Sequence, residues 1–189
     1  TLDLSGLTAG GAGTAGASVG TVTSAITADL TLDASTDLGA LALTVADGAT
    51  LTLTAAQATG GSISATGTGN ITITDATAAT TYDFSSVSSN TGTVEVQFAT
   101  GGTLAVSTDL NGADVTVAEN ATLTLTAAQA AGLTITGADA TVANPGGSIV
   151  VTGIDTSTLD LSGLTAGGAG TAGGSVGTVT SAITADLTL

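Results

Sequence analysis

The residue types able to do chemistry in this 189-residue chain are few: 13 Asp, 2 Glu, one Tyr and many Ser and Thr hydroxyls, with no Lys, Arg, His or Cys. The carboxylates recur at matched places. Asp3, Asp83 and Asp160 each fill T-x-D-x-S, Asp37 and Asp109 each fill STDL, and Asp47 aligns with Glu119 between TVADGAT and TVAENAT. Calcium takes about six to eight oxygens, from carboxylates, hydroxyls and turn carbonyls. These seven acids are therefore candidate Ca²⁺ ligands. The competing role is turn chemistry, because Asp bonds its own backbone and starts turns. Catalysis is not expected of them, since the repeat alone makes them recur.

Threonine forms a second pattern. Thr50, Thr52 and Thr54, Thr72 and Thr74, Thr122, Thr124 and Thr126, and Thr134 and Thr136 are spaced as T-x-T. On a flat sheet such runs would present a hydroxyl–methyl lattice of the kind that binds ice or carbohydrate, which is the alternative binding-module role. The plain role is outward Thr on strands, since Thr fills 41 positions. Asn70-Ile71-Thr72 and Asn120-Ala121-Thr122 fit the glycosylation sequon. The Gly-rich run at 10–20, GGAGTAGASVG, lacks the lysine and the long following helix of a phosphate-binding loop.

Composition narrows the classes further. A chain with net charge −15 and no cationic side chain cannot neutralise phosphates, so no nucleic-acid partner is expected. Without His, Cys or Lys most nucleophile–base pairs cannot be built, so the chain is not expected to be an enzyme. No apolar run approaches the ~18 residues of a membrane helix, and no membrane insertion is expected. Leu, Ile and Val recur throughout, which sets the chain apart from acidic disordered sequences. The only aromatics are Tyr82, Phe84 and Phe98, so the core must be thin and made of small aliphatic residues.

Repeats set the organisation. Residues 1–32 and 158–189 agree in 31 of 32 positions, the exception being Ala17 against Gly174. The repeat unit is thus 157 residues, and the chain reads as a window on a longer tandem array. Inside it, 44–58 matches 116–130 in 13 of 15 positions at an offset of 72. Three segments result: a first half-repeat 1–80, a second 81–157, and the start of the next unit at 158–189. The Gly/Ala/Thr insert around Gly10 to Gly20 is expected to sit on a loop, clear of the stacked core.

The local hydrophobic period is two. Leu2, Leu4, Leu30, Leu32, Leu51, Leu53, Leu104, Val106, Leu123, Leu125, Ile149 and Val151 alternate with polar or small residues, and the strand reading turns them inward. Asp47-Gly48, Gly60-Gly61 and Asn111-Gly112 mark turns. Thr54 to Ala58 is too short for a lasting helix and reads as a single tight turn. Short strands about every 20 residues, without the bulky core of a sandwich or the aromatic signatures of a propeller, fit a parallel β-solenoid. The expected fold is all-β: a right-handed β-helix, arrayed in tandem into an elongated rod.

The Thr/Ala/Gly bias, the near-identical tandem copies and phrases such as ATLTLTAAQA resemble the very large repetitive surface proteins of Gram-negative bacteria, the adhesins, biofilm-matrix and S-layer-like proteins built as secreted β-solenoids. The resemblance implies an extracellular, cell-surface location and a structural or adhesive role. Open solenoid ends expose strand edges that invite head-to-tail pairing, so self-assembly into filaments is expected. The sequence departs from calcium-binding nonapeptide repeats: Gly10-Gly11-Ala12-Gly13-Thr14-Ala15 carries Ala where their Asp ligand stands. Divalent cations, Ca²⁺ first, remain the expected partners on charge grounds, because closely spaced acids without counter-charges repel one another.

Overall fold

The computed structural model describes residues 22–39, 41–141, 143–155, 159–170 and 174–183. It is a parallel β-solenoid, organised as two compact units. Among the described residues, the first holds those from Val22 to Ile73 together with Asp83–Val94, and the second holds Thr74–Tyr82 and those from Glu95 to Ile183.

In the first unit the chain alternates between two sheets. Its elements are β1 (Thr23–Ile26), β2 (Leu30–Thr31), β3 (Ala42–Val45), β4 (Thr50–Thr54), the helical turn α1 (Ala55–Ala58), β5 (Ile63–Ala65), β6 (Asn70–Thr77) and β7 (Val87–Ser89). One sheet runs β1-β3-β5-β7, and β2-β4-β6 are neighbours in the other. The pairing is parallel and in register. Leu43 stands opposite Ile63, which stands opposite Val87. The alternation found in the sequence becomes alternate burial: Leu51 and Leu53 are buried and Thr50, Thr52 and Thr54 are half-buried.

The second unit repeats the plan with β8 (Val94–Thr100), β9 (Gly102–Thr103), β10 (Asp114–Val117), β11 (Thr122–Thr126), α2 (Ala127–Ala130), β12 (Ile135–Gly137), β13 (Ser148–Ile154), β14 (Leu164–Thr165) and β15 (Val179–Ile183). Its sheets are β8-β10-β12-β14 and β9-β11-β13-β15. Val96, Val115, Ile135 and Leu164 form one column. Leu123, Ile149 and Val179 form another. All three aromatics are buried: Phe84 in the first unit, Tyr82 and Phe98 in the second.

The expected AAQA turn is one turn of α-helix in both units, with a capping box. Thr54 Oγ1 accepts from the Gln57 backbone N–H, while Gln57 Oε1 accepts from the Thr54 N–H at 2.9 Å. Thr126 and Gln129 repeat this. Two donors that four residues of helix would leave open are thereby satisfied.

Eight of the twelve side chains expected to point inward are buried: Leu51, Leu53, Leu104, Leu123, Leu125, Ile149 and Val151 fully, and Leu32 in part. Leu2 and Leu4 lie outside the described residues. Two expectations fail. Leu30 is 39 % exposed: among the described residues β2 has a neighbour, β4, on one edge alone. Val106 is 84 % exposed: the strand ends before it, and a turn closed by the Thr108 N–H on the Ala105 carbonyl breaks the alternation begun at Leu104.

The glycine insert around Gly10 to Gly20 lies outside the described residues. Its second copy packs backbone on backbone: Gly167 and Gly177 are buried, and the Gly167 N–H donates to the Gly147 carbonyl at 3.0 Å. A Cβ on Gly177 would lie 2.0 Å from the Gly147 carbonyl oxygen. The one difference between the two copies falls in this layer. A Cβ at Gly174 would lie 2.3 Å from the Thr141 carbonyl oxygen, so the alanine found at position 17 does not fit position 174 without backbone movement.

Leu123→Ala should cost about 2–5 kcal/mol, since the side chain is fully buried. Val106→Ala should change stability by less than about 0.5 kcal/mol. Gly174→Ala should cost about 1–3 kcal/mol through overpacking. Denaturant titration of the three variants checks the order; a Val106 variant as damaged as the Leu123 variant would contradict the burial described.

Candidate functional site

Eight of the acids among the described residues take their positions from the turns and are used there. In the commonest arrangement the carboxylate accepts the backbone N–H two residues on. Asp37 Oδ1 accepts from Gly39 at 2.9 Å, Asp83 from Ser85 at 3.0 Å, Asp109 from Asn111 at 2.8 Å and Asp160 from Ser162 at 3.0 Å. Asp33 does the same with both the N–H and the hydroxyl of Ser35.

A second arrangement ties one rung to the next. Asp47 Oδ1 accepts both the N–H and the hydroxyl of Thr68 at 2.8 Å, 21 residues on. Asp29 takes the Thr50 N–H at 2.8 Å, Asn70 takes the Thr93 N–H at 2.9 Å, and Asp139 takes the Gly168 N–H at 2.7 Å. Sequence reasoning passed over Asp29 and Asp139 and read Asn70 only as part of a glycosylation sequon. The available signal was an Asp or Asn followed one rung later by a turn residue with a free N–H.

The seven acids singled out in the sequence therefore have separate surroundings. Asp37, Asp83, Asp109 and Asp160 each sit in their own turn, and Asp47 ties two rungs. Asp3 lies outside the described residues. Glu119 does not copy Asp47: its Oε2 is buried without a hydrogen-bond partner. Among the described residues no three acids come together in a group that could hold a metal ion.

The structure does bring together two acids that the repeats did not point to. Glu95 and Asp114 stand opposite each other on the paired strands β8 and β10. Glu95 Oε1 also accepts from the Thr116 hydroxyl at 2.6 Å. Like charges directly opposite one another oppose pairing.

The two helical turns each border an open cleft. The first, of about 360 Å³, lies between the turn at Ser35 to Gly39 and the turn at Gln57 to Gly61. The second, of about 530 Å³, is formed by the residues 72 positions later. Gln57 crosses the first: its Nε2 donates to the carbonyls of Asp33 and Thr36, both at 2.9 Å. Gln129 Nε2 donates to the Ala105 carbonyl at 2.9 Å. One carboxylate, Asp37 or Asp109, lines each cleft. That arrangement fastens a turn to a rung.

Single threonines of the T-x-T runs fall in columns with other threonines. Thr116, Thr136 and Thr165 form one column. In the other sheet of the second unit the column through Thr103, Thr124 and Thr180 is interrupted by Val150.

No family model, curated protein or solved structure gives a significant match to the chain.

Hydrogen bonds hold four carboxyls below their ordinary value of 3.8. For Asp33, Asp83 and Asp160 the serine two residues on is responsible, through its side chain first and its N–H second. For Asp47 the Thr68 N–H comes first and its hydroxyl second. A depressed folded-state pKa gives stability that is complete above the unfolded-state value and lost as pH falls through the folded-state one. Relative to the parent, Asp47→Ala should thus lower the melting temperature at neutral pH, and the gap should close below pH 3.8. Melting curves across that range test it; a gap independent of pH would reject the hydrogen-bond account. Glu95→Gln keeps the acceptor for Thr116 and removes the facing charge. It should raise the melting temperature at low ionic strength, by less as salt is added.

Proposed function

We propose that this chain is a segment of an extracellular structural protein, a repetitive β-solenoid that serves as fibre, adhesin stalk or surface matrix. One observation carries the reading: successive rungs pair in parallel and in register, and the sequence of the first rung returns at the last, so the fold has a built-in means of continuing. The turn acids support it. They spend their oxygens on backbone N–H groups within and between rungs, as a scaffold requires.

Function in such a protein is geometric. Rung pairing fixes a rise of about 4.8 Å per coil, and length follows from the number of copies. The fifteen negative charges, with no internal cation, keep neighbouring molecules apart at low ionic strength. Divalent cations then act as counterions to the acidic turns and favour lateral bundling. With neither Lys nor Arg, the chain offers trypsin no cleavage site.

Negative-stain imaging of intact source cells, with an antibody to this segment, tests the proposal. Labelled thin filaments or a surface lattice are expected, removable by a protease that cuts after small aliphatic residues and resistant to trypsin. Label confined to the cell interior would overturn the reading.

A further inference from the structure

Residues 1–32 and 158–189 share one sequence apart from Ala17 and Gly174, yet the strand they have in common is flanked on different sides. In the first copy β1 lies beside β3: the N–H groups of Ala42 and Ala46 donate to the carbonyls of Val22 and Ile26 at 2.9 and 2.8 Å. In the second copy β15 lies beside β13: the Ile149 N–H donates to the Thr178 carbonyl at 2.8 Å, and Thr180 stands opposite Val150.

Moved by the 157-residue offset, Val22 and Ile26 become Val179 and Ile183. Peptide groups alternate between the two edges of a strand. The first copy thus turns residues 22, 24 and 26 toward β3, and the second turns 178 and 180 toward β13. These are opposite sets. The groups that β15 leaves open among the described residues, on Val179 and Ser181, are the ones that the same strand uses as β1. Burial agrees: Val22 is half-buried, while its copy Val179, with no strand on that edge among the described residues, is 41 % exposed.

We propose that the open edge of β15 is an interface for a further copy of this chain, and that its occupant is the strand Ala42–Val45 of that copy. The register is the one seen at β1, so Thr180 faces Ala42, Ser181 faces Leu43 and Ile183 faces Val45 of the added copy. The strand is then a seam, held by the end of one repeat and holding the start of the next. The inference deepens the array reading above, but its test does not depend on where the protein resides.

The test compares the 189-residue chain with an extended one in which residues 33–189 are added after Leu189, so that 158–189 open a second copy. The Ser181 amide should exchange freely in the shorter chain and about tenfold or more slowly in the extended one. Ser181→Pro should leave the melting of the shorter chain unchanged, because its N–H faces the open edge. The same change should lower the melting temperature of the extended chain. Thr180→Pro should lower it in both. Equal exchange at Ser181 in the two chains, or a proline tolerated equally in both, overturns the proposal. Cells without filaments, combined with a protected Ser181, would reject the fibre role and leave the interface standing.

Discussion

A strand's peptide groups must find partners along both edges, and in this chain the partner is the rung about twenty residues away. The rest of the structure follows from that pairing. Parallel pairing in register sets each side chain above its equivalent one rung before, so Leu43, Ile63 and Val87 stack without interlocking across a wide core. A narrow interior then needs only Leu, Ile, Val and Ala, and two Phe and one Tyr suffice as bulk. The same pairing accounts for the glycine layer at Gly147, Gly167 and Gly177, where backbones come closer than any Cβ allows.

The acids belong to the same constraint. A solenoid changes direction at every turn, and each turn leaves N–H groups without ladder partners. Asp33, Asp37, Asp83, Asp109 and Asp160 accept such groups within their own turns, whereas Asp29, Asp47 and Asp139 accept them from the rung that follows. Carboxylate bonds to N–H are charge-assisted and stronger than neutral ones. Turn chemistry repeated many times thus accounts for eight of the fifteen acids behind the net charge of −15. Glu95 opposite Asp114 is where repulsion is placed within the ladder itself, relieved in part by the Thr116 hydroxyl.

The internal repeat is kept at different strengths in different parts. The helical turn with its capping box recurs intact at Thr54 and Thr126, because the Gln side chain also fastens the turn to the preceding rung. Asp47 and Glu119 occupy aligned positions, yet Asp47 reaches Thr68 and Glu119 reaches no donor through Oε2. One extra methylene and a changed turn are enough to separate them. Alanine at 17 and glycine at 174 show the same sensitivity: a single Cβ decides whether that layer can lie flat on Thr141.

The strand positions, the turns and the solenoid class were legible in the sequence, because a period of two and a tandem repeat are local or exactly copied features that no packing detail can hide. Leu51, Leu53, Leu123, Leu125, Ile149 and Val151 are buried as the alternation requires. Tertiary structure alone decided where alternation stops. Val106 is exposed since a turn intervenes, and Leu30 since its strand has one neighbour among the described residues. It also decided what each acid does. Recurrence marked Asp3, Asp37, Asp47, Asp83, Asp109, Glu119 and Asp160 as candidates, but a carboxylate's role depends on which N–H lies within 3 Å, and for Asp47 that is set by a rung 21 residues on. The pairing of Glu95 with Asp114 was hidden for the same reason: register between rungs is fixed by the lengths of the intervening turns, which no single strand records.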